Sequence, residues 1–512
     1  MFSTTISGAL LGVEGILLEV EVDVSNGMPS LEMVGLLGSE VKEAKERVRA
    51  TIKNLGVTMP PKRIVVNLSP ANVRKTGTAY DLPIAVGIMK SMGVLPADCT
   101  KEMLLLGELG LDGAIKPVFG VFPILVKAKE QGITTCVVAK ENMEEAAFVK
   151  GIKVYGFETM QQLMAFFQNP GEPFTWKNSE EMRENTEYYT YESVVGQNSG
   201  KRAALIGAAG GHNLLYIGPP GTGKTMLVKA LPSILPPLAE YEKLLVASIL
   251  SATGKKHFGF ANLHRPFVEV HHSATVNTLI GGGMIPKAGA ITLAHKGILF
   301  LDELPEFKRI VLDAMRQPLE EKKITFLRSG MTYHFPAEVM LVAAMNPCPC
   351  GYFPDKNRCM CLPHQVQKYV GHISGPILDR IDVVAETTAM KKQGENICKE
   401  GSVMTSAKMQ EQVVLARKRQ EQRYFEMFGK EECRWNGSLS HKELEVICIT
   451  DVSGSKLLDK LLEKFSLSGR AYSSLLKVAR TIADLEGNET ISEKHIAEAA
   501  GYRLGFERYF HG

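Results

Sequence analysis

The stretch Gly218-Pro-Pro-Gly-Thr-Gly-Lys-Thr225 decides how the chain is read. It has the form G-x-x-x-x-G-K-T, the phosphate-binding loop of nucleoside triphosphatases. Leu214-Leu-Tyr-Ile217 before it reads as a short apolar strand, and Met226-Leu-Val-Lys-Ala230 after it as helix. In that setting glycines let backbone N–H groups crowd around phosphates, and the helix N-terminus favours an anion. Gly218, Pro219, Pro220, Gly221, Thr222, Gly223, Lys224 and Thr225 are therefore candidate ATP-binding residues. Lys224 is expected to reach the terminal phosphates, and the Thr225 hydroxyl to hold Mg2+.

The segments downstream extend this loop into a site. Gly297-Ile-Leu-Phe-Leu-Asp-Glu303 is a buried apolar strand ending in two acids, the form of a Walker B motif. Asp302 is expected to help hold Mg2+ through water, and Glu303 to polarise the attacking water. Met340-Leu-Val-Ala-Ala-Met-Asn346 is a further buried strand ending in an amide; it resembles sensor 1 of AAA+ ATPases, with Asn346 orienting water or the γ-phosphate. In Ser374-Gly-Pro-Ile-Leu-Asp-Arg-Ile-Asp382, Arg380 resembles the arginine finger given to a neighbouring subunit. The alternative is a surface Arg–Asp pair, which is worth little. As a finger, Arg380 implies a site completed only in an oligomer.

Two insertions flank the Walker B strand. The first runs from Arg265 through His271-His272 and Gly281-Gly-Gly283 to His295. The second, Lys323-Ile-Thr-Phe-Leu-Arg-Ser-Gly-Met-Thr-Tyr-His-Phe335, alternates on both sides of Ser329-Gly330, as a β-hairpin does. AAA+ proteins with a helix-2 insert and a pre-sensor-1 hairpin include replicative helicases and magnesium chelatases. In the helicases such hairpins line a pore and touch DNA. Lys322, Lys323 and Arg328 are then candidate phosphate contacts, with a solvated hairpin face as the alternative. Adjacent histidines on one strand face opposite ways, so His271 and His272 are not expected to pair on a metal. Cys348-Pro-Cys350 and Cys359-Met-Cys361 form a quartet suited to tetrahedral Zn2+, or a set of free reduced thiols.

Residues 1–168 alternate strand and helix patterns, as in Ile16–Val24, Glu40–Leu55, Arg63–Leu68, Asp81–Met92 and Thr135–Ala139. Three stretches carry a resemblance: Lys75-Thr-Gly-Thr-Ala-Tyr-Asp81, Gly107-Glu-Leu-Gly-Leu-Asp-Gly113 with Pro117-Val-Phe-Gly120, and Val138-Ala-Lys-Glu-Asn142. They resemble the Lon-type peptidase domain, which shares a fold with ribosomal protein S5 domain 2. That chemistry needs a serine nucleophile and a lysine base. At the places of those two residues this chain has Ala79 and Phe122, which implies a non-proteolytic relative.

Residues 169–192, polar and without apolar period, read as a linker. The AAA+ core is expected over 193–390, its Ser193-Val-Val-Gly-Gln197 similar to a segment that packs near adenine. Residues 400–512 read as a helical lid, with Leu457, Leu458, Leu461, Leu462 and Phe465 at helical spacing. Ser492 is expected to cap the last helix. Arg470 sits where such lids place the sensor 2 arginine that contacts the γ-phosphate, or is a solvated arginine at a helix start. Arg417-Lys-Arg419 reads as a solvated basic face.

Composition sets the outer bounds. The chain has 512 residues, room for roughly three domains. A net charge of +3 neither demands nor excludes a nucleic-acid partner. No apolar run reaches the ~18 residues of a membrane span, and Met1-Phe-Ser-Thr-Thr-Ile lacks the form of a signal peptide. Nine cysteines point to a reducing cytoplasm rather than a disulfide framework.

Asn346-Pro-Cys-Pro-Cys-Gly351, Ser374-Gly-Pro-Ile-Leu-Asp-Arg380 and Ala479-Arg-Thr-Ile-Ala-Asp484 resemble the ComM/YifB family of magnesium-chelatase-like AAA+ ATPases, and the resemblance covers the whole chain. Glu269-Val270 departs from it, because the family tends to carry Ala or Ser and then Pro there; this implies an altered insert shape. The resemblance implies a hexameric ring motor that uses ATP to drive DNA branch migration in natural transformation or recombination. The alternative is a chelatase-type ATPase that remodels a protein partner for metal insertion. The Lon-like domain argues against it, since the chelatase motor subunit is expected to lack one. An ATP-dependent protease is disfavoured by Ala79 and Phe122.

Overall fold

The computed structural model describes residues 1–169, 189–255, 263–328, 330–388, 404–429, 434–465 and 467–504. Most of the expected linker, residues 389–403 at the boundary of core and lid, and Ser329 of the hairpin turn lie outside the described residues.

The chain is mixed α/β. Its first sheet has seven strands, in the order Ser30–Val34, Arg63–Ser69, Glu14–Ser25, Phe2–Leu11, Met103–Leu105, Thr135–Ala139, Lys153–Phe157. In Glu14–Ser25 the alternation expected from the sequence holds: Leu18, Val20, Val22 and Val24 are buried and Glu19 and Asp23 exposed. The helices Ser39–Asn54, Asp81–Ser91 and Val121–Glu130 supply the facing apolar surface.

A second sheet has five strands, all parallel, in the order Phe267–Val270, Ile298–Leu301, Met340–Met345, Leu214–Ile217, Val383–Glu386. The three central strands are apolar throughout and buried along their length, as a parallel sheet covered on both faces requires. All carboxyl ends therefore lie on one edge, where open α/β sheets bind ligands. Glu269 and Val270 continue their strand without a break, and Glu269 pairs with Lys229 at 3.2 Å.

Helices Ser406–Phe428, His441–Ile447, Val452–Phe465, Gly469–Glu486 and Glu493–Leu504 follow. Leu475, Val478, Ala479 and Ile482 share one core with Ala204, Leu205 and Ala208 of helix Asn198–Gly210, so this bundle is packed on the second sheet's flank. Ser492 precedes the last helix with its hydroxyl 3.2 Å from the His495 ring. The basic face expected at Arg417–Arg419 is corrected by the packing. Arg417 is buried against the Trp435 ring, 4.2 Å from its centroid, and Arg419 donates to the Asp484 carbonyl at 2.6 Å.

The first sheet grips the second in two places. The turn between its two longest strands inserts Val13 into the cluster of Ile324, Tyr333 and Phe335, at the root of a β-hairpin formed by Lys323–Arg328 and Met331–Pro336. Gly12 (φ +71°) is needed there: a Cβ would stand 3.3 Å from the His334 carbonyl oxygen and the Phe335 ring. On the other side Ala247 of helix Glu240–Ala252 joins the cluster of Phe122, Ile124 and Leu125, and Gly120 N–H donates to the Ser251 carbonyl at 3.1 Å.

Candidate functional site

The loop Gly218–Gly223 leaves the carboxyl end of the strand Leu214–Ile217 and enters the helix Lys224–Ala230. Gly221 and Gly223 hold φ of +74° and +85°, with open space where a Cβ would be. Positive φ alone calls for glycine at these two positions. Gly218 is glycine for another reason, since a Cβ there would lie 2.1 Å from the Thr387 hydroxyl oxygen. Thr222 and Thr387 hydroxyls share a 2.7 Å hydrogen bond, and the Gln197 amide donates to the Thr222 carbonyl at 3.0 Å. The Ser193–Gln197 segment thus reaches the loop from behind.

Lys224 lies inside this loop. Its Nζ donates to the Gly218 carbonyl (2.7 Å), the Pro219 carbonyl (2.9 Å) and Asn346 Oδ1 (3.1 Å). Burial penalises its charged form and lowers its pKa to about 8, against a smaller opposing effect of Asp302. An ammonium desolvated in this way, beside glycines with open space in front of them, suits an anionic phosphate. Thr225 Oγ1 donates to Asp302 Oδ2 at 3.0 Å, so the two oxygens that would hold Mg2+ already adjoin. Lys224, Thr225, Asp302 and Asn346 meet because three neighbouring parallel strands end on the same edge.

Glu303 stands apart in its backbone. It adopts the left-handed conformation (φ 53°, ψ 49°), at a cost on the order of 1–3 kcal/mol for a residue with a side chain. Its Oε2 lies 3.3 Å from His272 Nδ1. The His271 and His272 rings stack with centroids 4.1 Å apart. The expectation that they face opposite ways fails because both lie past the end of strand Phe267–Val270, where strict alternation no longer applies. His271 Nδ1 is 2.8 Å from the Ser273 hydroxyl.

The four cysteines converge. All four sulfurs of Cys348, Cys350, Cys359 and Cys361 lie within 4.8 Å of one another, and Cys348, Cys350 and Cys359 are separated by 3.4, 3.6 and 3.8 Å. A tetrahedral Zn–S4 site has sulfur–sulfur edges of about 3.8 Å. This is the one cluster of three or more metal-ligating side chains among the described residues. It abuts the phosphate loop: a Cβ on Gly351 would be 2.6 Å from Pro220 Cδ.

Arg380 and Arg470 are not brought to this loop. Arg380 precedes strand Val383–Glu386, so it lies at the amino edge of the sheet, opposite the phosphate loop of its own chain. There it pairs with Glu320, and Arg470 donates to the same carboxylate at 3.1 Å. Ser474 of the Arg470 helix donates to Asp382 at 2.6 Å, which ties the two arginine-bearing segments together. Lys322 does not project freely. It donates to Glu338 at 2.8 Å, beside Lys296 at 2.5 Å, and these two cations hold the Glu338 carboxyl down at about 2 against its burial. Lys323 and Arg328 remain exposed on the hairpin.

Comparison with known proteins shows the family. A family described as "Magnesium chelatase, subunit ChlI" matches residues 190–395, and "Magnesium chelatase, subunit ChlI C-terminal" matches 403–503. The Competence protein ComM of Haemophilus influenzae is 40% identical over 505 residues, covering 97% of this chain and 96% of that protein. The Uncharacterized protein YifB of Salmonella typhimurium is 40% identical over 495 residues, with the same coverage. The chain belongs to the ComM/YifB family of magnesium-chelatase-like AAA+ proteins. For this ComM/YifB member a partial likeness to Lon protease 2 of Bacillus subtilis also holds, 28% identical over 167 residues and 29% of the chain. "Subunit ChlI of Mg-chelatase" matches residues 20–142, so the N-terminal region does not by itself set the ComM/YifB chain apart from chelatase proteins. No helix among the described residues is long and apolar enough to cross a membrane.

Sequence reasoning missed His272 and Glu320. The signal for His272 was the strand order: Val270 pairs with Leu301, which sets His271 and His272 beside Asp302 and Glu303. Nothing in the local sequence marks Glu320 as the shared partner of two distant arginines.

Proposed function

We propose that this protein is an ATP-hydrolysing motor that assembles into a ring, with a hexamer as the expected size, and moves along DNA. The observation that carries the reading is the division of groups between the two edges of the parallel sheet. Lys224, Thr225, Asp302, Glu303 and Asn346 gather at the carboxyl edge, and Arg380 and Arg470 lie together at the amino edge. A head-to-tail ring would apply one edge to the other, so that both arginines serve the phosphates of the next subunit. Bound Mg2+ would neutralise charge on the phosphate oxygens. Lys224 would hold the terminal phosphates, Asn346 would orient Lys224 and the water, and Glu303 would accept the water's proton. DNA as the track is supported by the exposed Lys323 and Arg328 on the hairpin and by the family's expected activity. The cysteine quartet is proposed to hold structural Zn2+ as a clip behind Asn346.

The test is ATPase and branch-migration activity of the wild type beside Lys224→Ala and Glu303→Gln. The reading expects activity in the wild type alone, stimulated by DNA and strongly weakened by salt. Equal activity in all three proteins overturns the motor, and turnover indifferent to every form of DNA overturns the track. Purified protein with no bound zinc overturns the clip.

A further inference from the structure

We propose that Asn213 is a positioning residue for Arg380, the arginine that each subunit presents to its neighbour. The inference rests on the ring reading above and adds to it a residue that touches no nucleotide. Asn213 stands at the amino edge of the parallel sheet, directly before strand Leu214–Ile217. Its side chain uses both ends of its amide. Nδ2 donates to the Arg380 carbonyl at 2.7 Å, and Oδ1 accepts the Leu341 N–H at 2.8 Å. The partners fix this orientation, because a carbonyl can only accept and an N–H can only donate.

The main chain of Asn213 repeats the hold. Its N–H donates to Asp382 Oδ2 at 3.2 Å, and its carbonyl accepts the N–H groups of Asp382 and Val383, each at 3.1 Å. Five hydrogen bonds thus meet at one residue, and four of them clamp the segment Arg380–Val383. From the other side the Ser474 hydroxyl donates to Asp382 Oδ1 at 2.6 Å, so the segment is closed between core and lid.

Arg380 needs such a clamp because it lies in the connection between the short helix Gly375–Leu378 and strand Val383–Glu386. Its N–H bonds back to the Ile377 carbonyl at 3.0 Å, and its own carbonyl is held by Asn213. The arginine therefore leaves the main chain at a set point. A long side chain acting across an interface depends on that point, and a misplacement of about 1 Å can cost on the order of a hundredfold in rate. The same residue joins the two edges of the sheet. Strands Leu214–Ile217 and Met340–Met345 run side by side from Asn213 and Leu341 to the phosphate loop and Asn346. Asn213 thus ties the arginine given to the next subunit to the two strands that carry the subunit's own nucleotide groups.

The experiment measures phosphate release from mixtures of two full-length variants, with thermal unfolding of each. Lys224→Ala lacks the phosphate-loop ammonium but keeps its amino edge, and Arg380→Ala has the reverse defect. Mixed, the two are expected to recover turnover that neither shows alone. Asn213→Asp, acceptor-only when ionised, keeps the bond from Leu341 and loses the one to Arg380. Added to the Lys224→Ala partner, which supplies the arginine, it is expected to cut the recovered turnover roughly tenfold or more with KM for ATP unchanged. Added to the Arg380→Ala partner, which supplies the ATP site, it is expected to cut that turnover several-fold less. Asn213→Ala, which brings no charge, should give the same order. Equal losses in the two placements, a larger loss in the ATP-site partner, or no loss overturns the proposal. Unfolding of both Asn213 variants also overturns it, since that marks a structural role alone. Absence of recovery in the starting mixture removes the ring reading and this proposal with it, whereas recovery indifferent to Asn213 removes this proposal only.

Discussion

Two loops in this chain place a lysine beside a threonine, one lysine half-buried and the other buried, and they differ in what surrounds the ammonium. At Lys224 the Nζ is shared among two loop carbonyls and the Asn346 amide oxygen, and open glycines face it. At Lys75 the side chain is fully buried, capped by the Pro70 carbonyl, and desolvation lowers its pKa with no acid opposing it. Nearby, Ala79 and Phe122, which the Lon-type resemblance sets at the expected places of the serine and lysine, both join one apolar cluster. Asp81 is buried and tied to Arg47 by hydrogen bonds of 2.6 and 3.0 Å. One loop keeps its polar groups converging on space, while at the other the lysine is buried and turned back onto the Pro70 carbonyl. A likeness of fold carries no likeness of chemistry once the reacting groups are gone.

Four substitutions or conditions would break or sharpen this contrast. The largest effect is expected from Lys224→Ala, which should reduce ATP turnover on the order of a thousandfold or more while changing the unfolding midpoint little. Turnover is measured by phosphate release, and an unfolding shift as large as the activity loss would erase the contrast. Phe122→Ala should do the reverse. Emptying a buried aromatic site is expected to cost about 3–5 kcal/mol in denaturant unfolding, with ATPase per folded molecule retained. A smaller effect is expected from pH. Burial and Lys296 hold the His295 imidazole down at about 4, so it is neutral in the folded protein. The unfolded chain takes up its proton near the ordinary histidine value, so stability present at neutral pH is lost progressively as pH falls from about 6.5 to about 4. The loss should be about 1–3 kcal/mol, and thermal melts of His295→Gln should show a flatter dependence over that window. The smallest is Arg328→Ala on the hairpin. It should leave basal ATPase unchanged and reduce the salt slope of DNA binding by about one. An unchanged slope would assign the exposed hairpin to solvent.

The loop Gly218–Gly223, the strands Leu214–Ile217, Ile298–Leu301 and Met340–Met345, and three of the seven strands of the first sheet were legible in the sequence, because each is a local pattern of apolar period, glycine and turn residues. Leu18–Val24 alternates because every second residue is buried, and that is visible without neighbours. The cysteine quartet was legible as a spacing, but its convergence needed the loop to fold back on itself. Arg417 was misread as solvated because its charge is local information and its Trp435 partner is not. Lys322 was misread for the same reason, with Glu338 across the hairpin root.

The local pattern of the sequence was enough to mark Gly218–Thr225 as a strand–loop–helix of the phosphate-loop form and to place the chain with magnesium-chelatase-like proteins. The tertiary structure alone decided which side chains share a site. Strand order put His272 against Glu303, and the direction of the parallel strands set Arg380 and Arg470 on the edge away from Lys224. The reason is physical: local pattern specifies which face of an element is buried, whereas the identity of the neighbour across that face depends on closure of contacts tens to hundreds of residues apart.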